Sequence, residues 1–201
     1  METRMDLEGF LGSRDVAEPL AAVLRTAAAA GVTIARELAR ASVSGETGLT
    51  GETNVQGETV KKMDSVANEI LVEAFREAAN TALVASEEMD QPLVLSPGAP
   101  YSVLFDPLDG SSNVDIGGCV GSILSVQHHP VNAGNATESL LQEGTRQAAA
   151  CYLNYGPSTA LVLTTGAGTH LFSLDPERGR FVLMGASLRI PGRGKTYAGN
   201  E

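Results

Sequence analysis

Apolar side chains recur on two different periods along this chain, and the switch between them divides it. From about residue 16 to residue 42, Leu20, Val23, Ala27, Ala30, Ile34 and Leu38 fall on one side of a helix. A second helix is predicted from about Val60 to Ala79, with Val60, Met63, Ala67, Ile70, Leu71, Ala74 and Phe75 close to the 3.6-residue period. After it the pattern shortens to β-prone runs at Ala82–Ala85, Tyr101–Phe105, Ala148–Leu153, Thr159–Thr164, His170–Leu174 and Phe181–Met184. Turns such as Gly166-Ala167-Gly168 and Pro176-Glu177-Arg178-Gly179 separate the last of these, which predicts an antiparallel meander. Helices first and strands after them indicate an α+β layered domain without internal repeats. Residues 128–146 are polar and irregular and read as a surface loop.

The chemistry concentrates at the ends of two predicted strands. Tyr101–Phe105 should be a buried strand that delivers Asp106, with Pro107 ending it and freeing the Leu108 carbonyl to face a metal. Asp106 and Asp109, three residues apart, supply the hard oxygens that Mg²⁺ or Mn²⁺ prefers. Gly110-Ser111-Ser112 follows at once, and its successive backbone N–H groups suit a phosphate. The Ala82–Ala85 run ends in Ser86-Glu87-Glu88, where neighbouring acids can take different tasks, one on a metal and one on a water. The Gly- and Thr-rich stretch from Gly51 to Asp64 reads as a polar loop able to close over a site. Asp64 sits at the edge of the second helix's apolar stripe, as a first-turn acid or as a site residue. A metal clamp joined to a phosphate cradle points to phosphoryl chemistry; each element alone also fits a solvated acidic turn.

The strings GETNVQGETVKKMD (residues 51–64), LVASEE (83–88), FDPLDGSSNVD (105–115), VGSILSV (120–126) and LNYGPSTALVL (153–163), with the closing GKTYAGNE (194–201), make the chain similar to the class I fructose-1,6-bisphosphatases. The resemblance covers nearly all of the sequence from about residue 20, and the loop of residues 51–64 separates it from the related inositol monophosphatases. It implies the layered α+β sugar-phosphatase fold of that superfamily, with residues 1–201 as the N-terminal domain and the family's C-terminal domain absent from the chain. It further implies metal-dependent hydrolysis of the 1-phosphate of fructose 1,6-bisphosphate to fructose 6-phosphate, in gluconeogenesis or carbon fixation.

By resemblance Glu87, Asp106, Asp109 and the Leu108 carbonyl bind metal, two or more Mg²⁺ or Mn²⁺ per site. Glu88 and Asp64 orient and deprotonate the attacking water, and Glu58 is the loop acid that joins on closure. Asp109, Gly110, Ser111 and Ser112 face the transferred phosphate, and Asn200 contacts the sugar. The resemblance also implies a homo-oligomer, a tetramer in the family, whose N-terminal helices help to build subunit contacts. Gly12-Ser13-Arg14-Asp15 and Pro100-Tyr101 stand where animal members carry an AMP-binding turn and a Lys-Tyr pair, so inhibition of that type should be weakened or absent. The plant redox insertion with its cysteines has no counterpart. Relatives continue well beyond the position of Glu201, which raises the reading of an inactive metal-binding fragment. The Asp-Pro-Leu-Asp-Gly-Ser string, found in looser form in the related family, leaves an inositol-type monophosphatase as a neighbouring reading.

Composition narrows the picture little further. With 201 residues, 43% apolar and only 4% aromatic, an aliphatic core is expected, for one domain or for one and a truncated second. A net charge of −10 argues against nucleic acid, which calls for a basic stripe. Residues 1–20 hold scattered charges and no apolar segment of the signal-peptide kind, and Ala27–Ala35 is too short to span a bilayer. Cys119 and Cys151 read as buried thiols, which fits a reducing cytoplasm, and His128-His129 as solvated loop residues.

Overall fold

The computed structural model describes residues 4–44, 49–53, 59–130 and 135–194. Its frame is an eight-stranded sheet in the order β10-β9-β8-β7-β6-β5-β3-β4. The strands are β3 (Leu83–Ser86), β4 (Leu93–Val94), β5 (Tyr101–Asp109), β6 (Val120–His128), β7 (Gln147–Tyr155), β8 (Ala160–Thr164), β9 (Thr169–Asp175) and β10 (Arg180–Gly185). All neighbours pair antiparallel except β3 and β5, which run parallel with Ser86 opposite Phe105. β7 to β10 form the expected meander, and β6, which was not foreseen as a strand, extends it antiparallel to β7. Three helices, α1 (Leu7–Ser13), α2 (Glu18–Ser44) and α3 (Lys62–Ala78), touch β10, β5 with β7, and β3 with β5 respectively.

Alternation along the strands separates the two faces of the sheet. Val103, Phe105, Leu124, Val126, Cys151, Leu153, Leu161, Leu163 and Phe172 are buried, while Leu104, Ile123, Tyr152 and Val162 between them are half-buried or exposed. The small-residue side of α2 allows it to lie close: a Cβ added at Gly31 would stand 2.7 Å from the Leu153 side chain. Phe75 of α3 stacks on Phe105 with centroids 6.5 Å apart. By length and hydropathy α2 could cross a bilayer, which its shorter Ala27–Ala35 run does not suggest. Its apolar side, with Val23, Ala27 and Ile34 at 1% exposure or less, is instead spent on the core.

Several local expectations change. Pro107 does not end β5; the strand runs on to Asp109. The loop that begins at Gly51 contains part of a short hairpin, β1 (Leu49–Thr53) with β2 (Thr59–Lys61). The polar stretch after β6 contains the helix α4 (Ala136–Leu140), capped by the Asn135 side chain on Glu138 N. Cys151 is buried, whereas Cys119 is exposed beside the Gly117-Gly118 turn. His129 is not merely solvated: its Nδ1 lies 2.9 Å from Ser102 Oγ, and His128 packs on Tyr101. Leu188 and Ile190 belong to no strand, so β10 forms that edge of the sheet, where α1 packs alongside, Asp6 bridges to Val182 and Leu183 N donates to Met5 O at 2.8 Å.

Candidate active site

Residues three apart on a regular strand point to opposite faces, so Asp106 and Asp109 could not share one without an irregularity. The β5–β6 register supplies it. Asp106 pairs with Ile123 and Asp109 with Gly121, so Pro107 and Leu108 together oppose Ser122. This is a β-bulge with one extra residue in β5. Proline is tolerated in it because the bulge needs no ladder donor at that position. Pro107 and Leu108 are both buried, and Asp106 and Asp109 on either side of them are the more open residues.

The parallel neighbour brings the second acid. Glu87 N donates to Phe105 O at 3.1 Å, which fixes the end of β3 beside Asp106. The Glu87 carboxyl is close enough to hydrogen-bond Asp106 and to repel it. Burial first, then the charges of Glu87 and Asp109, push the Asp106 carboxyl up to about 7, opposed by the Leu108 N–H that Asp106 Oδ1 accepts at 3.0 Å. Glu88 follows in a turn held by Glu88 N on Ser86 Oγ and Met89 N on Ser86 O, both 3.2 Å. Beyond Asp109, Gly110 adopts φ +74°, a left-handed conformation that favours glycine, and opens the 3-10 turn Ser111–Ile116. Asn113 N closes it on Gly110 O at 2.8 Å, and Asn113 Nδ2 reaches Cys119 O.

Of the sequence-predicted residues, Glu87, Asp106 and Asp109 come together, with Leu108, Gly110, Ser111 and Ser112 in the same connection and Glu88 in the adjoining turn. Asp64 lies 5% exposed in the first turn of α3, an unusual depth for an acid. Glu58 and Asn200 lie outside the described residues. Among the described residues no three His, Cys, Asp or Glu side chains close on one point as a finished metal cage. What exists is a rim of hard oxygen donors held in mutual repulsion, a chemistry that suits a divalent cation. An open hollow of about 370 Å³ adjoins it, lined by Glu87, Asp106, Leu104, Ile123 and Ser125. A hollow of about 410 Å³ between Pro19, Ala79 and Ser96–Pro100 has no titratable lining and offers no comparable chemistry.

Sequence reasoning overlooked the residues behind the bulge. Ser122 and Tyr155 are buried beneath it, and Tyr152 borders it, its phenol raised by burial and by the Asp109 charge. A serine alternating with the inward Val120, Leu124 and Val126 was the available signal.

Comparison with known proteins agrees in extent and kind. Residues 3–186 match the family described as Fructose-1-6-bisphosphatase, N-terminal domain. Class 1 fructose-1,6-bisphosphatases of Thermosynechococcus vestitus and Synechocystis are 47% and 45% identical over 190 residues, covering 92% of this chain and 55% of each relative. The holo-form crystal structure of the Leishmania major fructose-1,6-bisphosphatase superposes with a TM-score of 0.89 at 29% identity, over 96% of this chain and 61% of that one. The chain thus spans about half the length of the curated relatives it matches.

Proposed function

The chain belongs to the fructose-1,6-bisphosphatase family, and from that premise we propose that it is the N-terminal domain of an enzyme hydrolysing the 1-phosphate of fructose 1,6-bisphosphate. The single observation that carries the reading is the approach of Glu87 on β3 to Asp106 and Asp109 on the bulged end of β5. The family uses divalent metal ions. Here Glu87, Asp106, Asp109 and the Leu108 carbonyl would hold Mg²⁺ or Mn²⁺, two or more per site. A cation so placed supplies Lewis-acid neutralisation of the negative charge on the phosphate.

The remaining work falls to the chain itself. The amides of Gly110, Ser111 and Ser112 bind and orient the phosphate. Glu88 and Asp64 orient the attacking water and take its proton, Glu58 completes the site on closure, and Asn200 contacts the sugar. Repulsion between the carboxylates keeps the rim receptive to positive charge. The setting consistent with this is a cytoplasmic homo-oligomer, a tetramer, serving gluconeogenesis or carbon fixation.

Phosphate release under saturating Mg²⁺ tests the proposal, with fructose 1,6-bisphosphate compared against inositol phosphate. The protein extended to the length of its relatives should prefer the bisphosphate and lose turnover with Asp106→Ala plus Asp109→Ala. Undiminished turnover in that variant contradicts the site, and preference for inositol phosphate contradicts the substrate. The 201-residue chain measured beside it shows whether this domain turns over alone or binds metal without turnover.

A further inference from the structure

Carbonyls in a bulge lose their regular ladder partners, and a buried one is costly unless something else donates to it. Beneath the Asp106–Asp109 bulge that donor is a side chain. Ser122 Oγ donates to Pro107 O at 2.7 Å. Having spent its single proton there, Ser122 can only accept from Tyr155 OH, 2.8 Å away. Ser122 is fully buried and Tyr155 is 4% exposed. Burial keeps the Tyr155 phenol protonated, with its pKa raised above the ordinary value of 10.0. The chain of hydroxyls therefore has one polarity, from β7 through β6 into the irregular part of β5.

We propose that Ser122 and Tyr155 are positioning residues that hold the Pro107 bulge, and through it the common orientation of Asp106, Leu108 and Asp109 toward a divalent cation. The proposal rests on the reading of that rim as the metal site. Nothing but the bulge lets two acids of odd spacing share a face, so whatever fixes the bulge fixes the donor geometry. Ser122 opposes the extra residue directly, and Tyr155 locks its rotamer from behind. Hydrogen-bond partners of metal ligands change metal affinity by about 10- to 100-fold when removed, and Ser122 acts on the Pro107 carbonyl between two such ligands.

The test is Mn²⁺ titration of the chain by calorimetry, together with hydrogen exchange at the Leu108 and Asp109 amides in chelator. Ser122→Ala should weaken Mn²⁺ binding by about tenfold or more and speed exchange at those amides; Tyr155→Phe should do the same to a smaller degree. Ser122→Thr, which keeps the hydroxyl, should restore both. Cys151→Ala, buried in neighbouring β7 and outside the network, should lower the melting temperature without moving either readout. Unchanged affinity and exchange in Ser122→Ala, with Asp106→Asn still abolishing binding, overturns the positioning role and leaves the metal site standing. A wild-type chain that binds no Mn²⁺ overturns the metal site. Exchange then judges the remaining claim, because a bulge that stays protected in Ser122→Ala is not held by these hydroxyls.

Discussion

The two halves of β5 make opposite use of one strand. Tyr101–Phe105 is apolar, in unbroken register with both neighbours, and seals against α3 through Phe105 and Phe75. Asp106–Asp109 breaks register, carries two acids and contains a proline. The first half collects burial, worth about 25 cal/mol per Å² of apolar surface, and asks nothing of chemistry. The second gathers mutually repelling carboxylates, a cost that the first half and its helices offset. A site of this kind is stable only as an extension of something already folded, and the two halves should therefore fail differently.

The largest expected effect lies in the regular half. Phe75 is fully buried, and Phe75→Ala should cost about 3–5 kcal/mol in denaturant unfolding. A much smaller loss would mean that α3 does not anchor the strand. Next is Gly121, paired with Asp109 at the far end of the bulged half. A Cβ there would stand 2.5 Å from the Tyr152 ring and 2.7 Å from the Leu153 carbonyl, so backbone must move. Gly121→Ala should cost about 1–3 kcal/mol, and should also weaken Mn²⁺ binding, because the shift reaches Asp109. Stability loss with unaltered binding would mean that the placing of Asp109 does not govern the cation site.

The smallest effect belongs to the half-buried rim, where solvent screens the charges. Asp106 has its carboxyl raised from 3.8 to about 7 in the folded chain. The unfolded chain gives up that proton first, so the stabilisation is fully present below about 3.8 and is lost as pH rises towards 7. Unfolding in chelator should therefore show stability declining across this window, and Asp106→Asn should flatten the decline. A rise in the contribution of Asp106 over the same range would place it beside a cation rather than beside Glu87.

How much of this was legible in sequence follows the same division. The 3.6-residue stripe of α2 and α3 and the alternation of β7 to β10 are local patterns, and the helices and meander follow from them. Local pattern also carries a helix that went unread, since Asp6 before Leu7, Phe10 and Leu11 is a cap followed by apolar i, i+3, i+4 spacing. The continuation of β5 through Pro107 was not legible, because proline stops a strand unless a bulge receives it. What receives it is Ser122, fifteen residues further on. The approach of Glu87 to Asp106 depends likewise on the parallel pairing of β3 with β5, for which neither period gives a register. The acids were singled out by residue type and by family resemblance, and their meeting is a property of the fold. Cys119 was misjudged because its apolar neighbour Val120 turns inward while the glycines before it carry the thiol outward.

The most direct test of the account is a Mn²⁺ titration of the chain followed by calorimetry, in wild type and in Asp106→Asn with Asp109→Asn. Saturable binding in the wild type that disappears in the double variant, while the fold persists, is the predicted result. Equal binding by both would contradict the assignment of the divalent cation to the bulged end of β5.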